Sequence, residues 1–199
     1  GGVAMKLYQK NDNLVLNLIE NDPQNNIVNY NCIMFKKIDN TYRACPPADG
    51  QLKEPVEAIE VIMGSEAIEI RIKAQYKAAF GLGERFDAVN LIGMERTVEV
   101  VEKFCYQGSV TYCPIPFFFT DSGFGVYIDT MMVSCIRFDK DIVIILDGNT
   151  GNLPEFVFFF GKPADIIAKF SKLTGSVKLP PKWAFGPWIS ANRWNSQVE

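Results

Sequence analysis

The chain has 199 residues, long enough for one sizeable core, and its 48% hydrophobic and 22% charged content is that of a folded domain, which excludes general disorder. Lys and Arg number 20 against 23 Asp and Glu, a formal charge of −3 with the signs interspersed, so no basic stripe marks a nucleic-acid or membrane surface. Histidine is absent, which excludes a Ser-His-Asp or Cys-His nucleophile pair and a His-ligated zinc.

The apolar runs IVIIL at 142–146 and FVFFF at 156–160 are far shorter than the ~20 residues of a membrane helix. The N-terminus carries no basic segment followed by a long apolar stretch, so no secretory leader is expected. Five cysteines (Cys32, Cys45, Cys105, Cys113 and Cys135) form an odd set without a CxxC pair. Reduced thiols in a cytoplasmic protein fit that pattern. Neither a metal nor a cofactor is expected, and no nucleic-acid or membrane partner.

In chain order, Leu14, Leu16 and Leu18 alternate with Val15, Asn17 and Ile19, and NDPQNN at 21–26 ends the run with a turn. Ile27 to Lys36 reads as a strand. Asp39 to Pro55, with Pro46, Pro47 and Gly50, reads as a long loop. Val56 to Met63 is a strand, and Ala67 to Lys73 is the clearest, because Ile68, Ile70 and Ile72 alternate with Glu69, Arg71 and Lys73.

Further strands are expected at Thr97–Val101, Ile115–Thr120, Gly125–Thr130, Ser134–Phe138, Asp141–Leu146 and Phe156–Phe160. Asp121-Ser122-Gly123 and Asp139-Lys140-Asp141 read as tight hairpin connections, and the four strands they join read as a meander. FFF and IVIIL lose the period of two and are expected to be buried on both faces. The pattern is that of a mainly β fold, an antiparallel β-sandwich.

One helix is marked from about Pro163 to Leu173. Pro163 suits its first turn, Ile166, Ile167, Phe170 and Leu173 form an apolar stripe, Lys169 and Lys172 favour its C-terminal end, and Gly175 its stop. Pro180 and Pro181 then interrupt regular structure, and Trp183 to Ser190 reads as a strand apolar on both faces, of the kind found in a parallel α/β core. That places a unit boundary at 178/179. Residues 1–178 are expected to form the sandwich, and residues 179–199 the link and first strand of a second, truncated domain.

Two segments could carry chemistry. Phe80-Gly81-Leu82-Gly83-Glu84-Arg85-Phe86-Asp87 contains a GxG, but neither a third glycine at dinucleotide spacing nor a following Lys-Ser/Thr. A sharp turn at positive φ is the plainer reading. In the other segment, Trp183, Phe185 and Trp188 read as core aromatics. Asn192, Arg193, Trp194 and Asn195 combine an aromatic face with hydrogen-bonding side chains at the end of a strand, where barrel enzymes keep their sites and where a sugar would fit. A loop packed on the sandwich remains the alternative.

FGLGERFD at 80–87, IPFFFTDSGFGVYIDT at 115–130 and LPPKWAFGPWIS at 179–190 together resemble glycoside hydrolase family 31, over somewhat more than half the chain, from about Ala78 onward. The resemblance implies a galactose-mutarotase-like sandwich preceding a (β/α)8 barrel that hydrolyses α-O-glycosidic bonds with retention. It implies two carboxylates about 5 Å apart as nucleophile and acid-base, both on later barrel strands, so that no catalytic residue lies here. The loop at roughly Asn90–Tyr112 would form the aglycone side of the pocket. In it Glu102-Lys103-Phe104 departs from the family's Asn-x-Asp and gives Phe104 as an apolar wall. Arg193 would line the glycone pocket, with Trp194 and Asn192 beside it.

The implied ligand is an α-linked oligosaccharide or α-glycoside, met through the full-length enzyme. A stand-alone carbohydrate-binding module is the alternative. Self-association through the terminal aromatic segment is a further expectation.

Overall fold

The computed structural model describes residues 3–10, 13–20, 29–30, 33–38, 41–45, 55–63, 67–103, 106–147 and 154–188. Among these described residues, fourteen strands fall into two antiparallel sheets. The first holds β1 (Val3–Lys10), β2 (Asn13–Glu20), β8 (Ala79–Gly81), β10 (Phe117–Thr120), β11 (Phe124–Asp129) and β14 (Glu155–Phe160), in the order β1-β2-β14-β11-β10-β8. The second holds β3 (Asn29–Tyr30), β4 (Ile33–Ile38), β5 (Thr41–Cys45), β6 (Val56–Met63), β7 (Ala67–Ala74), β9 (Glu95–Val98), β12 (Ser134–Phe138) and β13 (Ile142–Asp147), in the order β3-β4-β5-β6-β7-β13-β12-β9.

The sheets share one apolar core. Leu16, Phe118, Phe124, Val126, Ile128, Phe156 and Phe158 of the six-stranded sheet meet Ile59, Ile68, Ile70, Ile72, Ile136, Phe138, Ile142 and Ile144 of the eight-stranded sheet. Phe118 meets Phe138 across the gap edge to face, with ring centroids 5.2 Å apart. Alternation along each strand produces this arrangement, since every second side chain points to the same face.

The outer face of the six-stranded sheet is covered by α1 (Pro163–Thr174). Val15, Phe117, Val157 and Phe159 form a second core with Ile166 of the helix, and Phe170 stacks flat on Phe117 with centroids 4.0 Å apart. A helix on one side and a sheet on the other explain why Phe156 to Phe159 are all buried. Gly125 allows the close approach, because a Cβ there would lie 2.7 Å from Cγ2 of Ile166. The helix opens with proline in its first turn and stops at Gly175, whose φ is 112°, both as the sequence implies.

Several expectations are corrected. The two hairpins form as read, but β10–β11 lies in the six-stranded sheet and β12–β13 in the eight-stranded sheet, so the four strands are not a meander. The chain crosses between sheets after Asp129, and each hairpin finds its other neighbours elsewhere, β14 and β8 for the first and β7 and β9 for the second. IVIIL is buried on one face and half-covered on the other, because no helix lies over it among the described residues. Asp39–Pro55 is not all loop, since β5 pairs with both β4 and β6. Ile27–Lys36 is not one strand, since β3 folds back on β4.

The expected strand at Trp183–Ser190 does not form over the residues described, which end at 188. Lys182–Phe185 is instead a single 3-10 turn. It is closed by Ala184 N–H to Pro181 O at 2.9 Å and Gly186 N–H to Trp183 O at 3.1 Å. A strand needs a neighbour to receive its backbone groups. Neither sheet offers one here, so the segment satisfies itself locally.

Candidate functional site

The turn at 80–87 and the loop that follows form one braced unit. Gly81, Leu82 and Gly83 all have positive φ, at 123°, 65° and 88°. A Cβ at Gly81 would lie 2.5 Å from the Phe117 carbonyl oxygen, and one at Gly83 would fall on that of Cys113. The glycines therefore serve contact between two stretches of backbone. The donors of the turn are spent in the same way, with Leu82 N–H to Phe117 O at 2.8 Å and Glu84 N–H to Cys113 O at 3.1 Å. These contacts favour the GxG as a structural turn.

Arg85 ties the unit together by donating to three backbone carbonyls, Leu82 at 3.3 Å, Thr97 at 2.8 Å and Ser109. Its pKa is lowered, first by burial and then by the neighbouring Arg96, with Asp87 opposing both. Arg96 is 8% exposed and pairs with Asp87 at 2.6 Å while donating to Glu95 O at 2.9 Å. Thr111 bridges the loop base, its hydroxyl donating to Glu84 O and accepting from Cys113 N–H.

Further out, the Tyr112 hydroxyl donates to Lys103 O at 2.5 Å and accepts from Lys103 N–H at 3.2 Å. Gln107 adds a bond to the same carbonyl at 2.7 Å. The loop thereby presents Phe86, Val100, Tyr106 and Tyr112 to solvent. Flat aromatic and apolar groups held on a braced backbone suit the apolar face of a sugar ring.

Asp87 is committed to Arg96, and among the described residues no group of three or more His, Cys, Asp or Glu could hold a metal ion. An open groove of about 1140 Å³ at the opposite edge of the turn is lined by Tyr76, Asp121, Asp139 and Lys73 among others. Two of its polar groups are engaged within the fold. Asp121 accepts from Lys77 and Ala78 N–H, both at 3.0 Å, and the Tyr76 hydroxyl donates to Asp139 O at 2.5 Å. Burial, then Asp139 and Asp141, push the Tyr76 pKa up to about 12.

The four residues expected to contact substrate, Phe104, Asn192, Arg193 and Trp194, lie outside the described residues, as do Cys32 and Cys105. Lys103 and Tyr106, close to Phe104 in sequence, belong to the braced loop. Trp183, Phe185 and Trp188 are 71%, 70% and 73% exposed, an apolar surface in place of core. Trp183 and Trp188 have centroids 6.1 Å apart, and the Trp188 indole N–H donates to Ala184 O at 2.8 Å. Of the bracing by Arg85, Arg96 and Thr111, the sequence leads one to expect only that Glu84 and Arg85 pair with neighbours in the turn; the parts played by Arg96 and Thr111 are not foreseen. Only the charge pattern Glu84-Arg85-x-Asp87 hinted at it, and an arginine that binds carbonyls leaves no signature.

No family model matches the chain. It is 27% identical over 127 residues to an isomaltosyltransferase of Sporosarcina globispora, covering 60% of this chain and 12% of that protein. It is 29% identical over 116 residues to an α-xylosidase of Lactiplantibacillus pentosus, covering 57% of this chain and 15% of that one. The chain thus spans less than a fifth of the length of these relatives.

Among solved structures, the cycloalternan-forming enzyme of Listeria monocytogenes superposes with a TM-score of 0.66 at 20% identity, covering 94% of this chain and 21% of that one. A cycloalternan-degrading enzyme of Trueperella pyogenes gives 0.61 at 17% identity, over 93% and 29%. These similarities establish a common fold. In sequence and in fold, this chain resembles the enzymes of glycoside hydrolase family 31 over a minor part of their length.

Proposed function

We propose that the chain is the non-catalytic N-terminal sandwich of a retaining α-glycosidase. Residues 1–178 would be the sandwich, and residues 179–199 would lead into a (β/α)8 barrel. The observation that carries this reading is the similarity to α-glycoside-processing enzymes over a segment whose glycine turn is spent on bracing a loop. In that role the sandwich fixes the loop at about 90–112 at the edge of the substrate pocket.

Phe104 would supply an apolar wall and Asn192, Arg193 and Trp194 polar and stacking contacts to the sugar. The nucleophile and the acid-base would be two carboxylates about 5 Å apart on later strands. The substrate class is an α-linked oligosaccharide or simple α-glycoside. No helix among the described residues is long and apolar enough to cross a membrane.

The test is to express the reading frame continued past Glu199 and follow p-nitrophenyl α-glucoside and α-xyloside by proton NMR. Turnover with the α-anomer as first product is expected. First release of the β-anomer, or no turnover of any α-glycoside, would defeat the proposal. In the second case, saturable sugar binding by the 199-residue chain would favour a carbohydrate-binding module instead.

A further inference from the structure

We propose that Arg85 is a positioning residue that grips both ends of the loop following the glycine turn and thereby sets discrimination between aglycones, a claim that rests on the α-glycosidase reading. Its planar guanidinium reaches three separate stretches of backbone. Nε donates to Leu82 O of its own turn at 3.3 Å, Nη2 to Thr97 O in β9 at 2.8 Å, and Nη1 to Ser109 O on the returning side of the loop. Thr97 and Ser109 lie 12 and 24 residues from Arg85 in sequence, so one side chain holds the two feet of the stretch between them.

Other bonds tie the legs further along. Val101 N–H donates to Thr111 O at 3.0 Å, and the Tyr112 hydroxyl joins the Lys103 backbone. Arg85 itself is half-buried, Arg96 repels it, and Asp87 offsets that repulsion while pairing with Arg96 at 2.6 Å. Lysine is no substitute here, because an ammonium on a flexible stem has no planar fork with which to span three fixed carbonyls.

Beyond the clamp the loop exposes Val100 and Tyr106, and a shift of its feet carries those side chains along. Misplacement of a substrate by about 1 Å can cost ~10²-fold in rate. In the proposed enzyme this loop borders the aglycone side alone. The clamp therefore acts on contacts to the leaving group and leaves bond cleavage to the carboxylates of the barrel.

The test compares two substrates of one sugar, glucose or xylose, with the enzyme expressed from the continued reading frame. The p-nitrophenyl α-glycoside offers a ring to the loop, whereas the leaving group of the α-glycosyl fluoride is a single atom. Arg85→Lys should lower kcat/KM for the aryl glycoside about tenfold, chiefly through KM, and for the fluoride less than about twofold. Tyr112→Phe keeps the exposed ring and removes only the tie to Lys103. It should move the ratio of the two substrates in the same direction, which covers the case of an Arg85 variant that does not fold.

A merely structural role would reduce both substrates alike through loss of active enzyme. Equal losses, or none, in both variants would overturn the proposal and leave the α-glycosidase reading standing. No turnover of either sugar's pair by the unsubstituted enzyme would defeat that reading and the discrimination with it. The clamp is also visible in the 199-residue chain by ¹⁵N NMR, where hindered rotation should give resolved, slowly exchanging Arg85 Nη signals. One averaged signal would overturn the clamp whatever the enzyme does.

Discussion

Gly83 has φ of 88°, and a side chain there would collide with the Cys113 carbonyl. Both strain and collision oppose any other residue. Gly83→Ala should lower unfolding free energy in urea by about 3 kcal/mol, whereas Gly93→Ala, with nothing within 4 Å of the added carbon, should cost distinctly less. Tyr76 gives a pH signature. Its folded pKa is raised to about 12 against 10.0, so the folded state holds the proton longer than the unfolded one. Its contribution is therefore complete below pH 10 and is lost as pH rises toward 12. Thermal melts should decline over that window in the parent and decline less in Tyr76→Phe.

At the scale of elements, the helix is held by phenylalanines. Phe170 stacks on Phe117 and meets Phe159 and Tyr127 edge-on or tilted. Phe170→Ala should cost about 2 kcal/mol, less than for a fully buried ring because Phe170 is only half covered. Loss of helical circular dichroism ahead of the β signal on heating would accompany it. The helix itself was legible in the sequence, because Pro163, the apolar stripe and Gly175 are local signals. So were β7, β12 and both hairpins, which alternation and three-residue turns specify.

Sheet assignment was not legible. Nothing local says that β11 takes β14 as its neighbour while β12 takes β9, since strand pairing across tens of residues is decided by the packing of the whole core. β1 and β5 were missed although Val3, Met5 and Leu7 alternate and Asp39-Asn40 is a plausible hairpin signal. The prolines at 46, 47 and 55 drew the reading of that region toward loop. The terminal strand failed for a different reason. Its composition was read as needing cover on two faces, whereas Lys182–Phe185 forms a 3-10 turn with Trp183, Phe185 and Trp188 exposed.

At the scale of the molecule, that terminal segment carries a run of exposed apolar side chains. Leu179, Trp183, Phe185 and Trp188 are largely open to solvent, and isolated domains with such patches tend to associate. Sedimentation velocity should show concentration-dependent dimerisation of the 199-residue chain, reduced in a Trp183→Ser, Trp188→Ser double variant. A monomer at all concentrations would mean that the patch is too small to act alone. Of the candidate site, the sequence made the turn and loop visible as motifs, while the arginine bracing that gives the loop its shape emerged only from the fold.

The most direct measurement is reconstitution. The 199-residue chain and the separately expressed segment that follows Glu199 would be assayed for p-nitrophenyl α-glucoside hydrolysis, each alone and then mixed. The account predicts no hydrolysis by the 199-residue chain and turnover when the two are combined. Hydrolysis by the 199-residue chain alone, or undiminished hydrolysis by the following segment without it, would contradict a non-catalytic domain that shapes the substrate pocket.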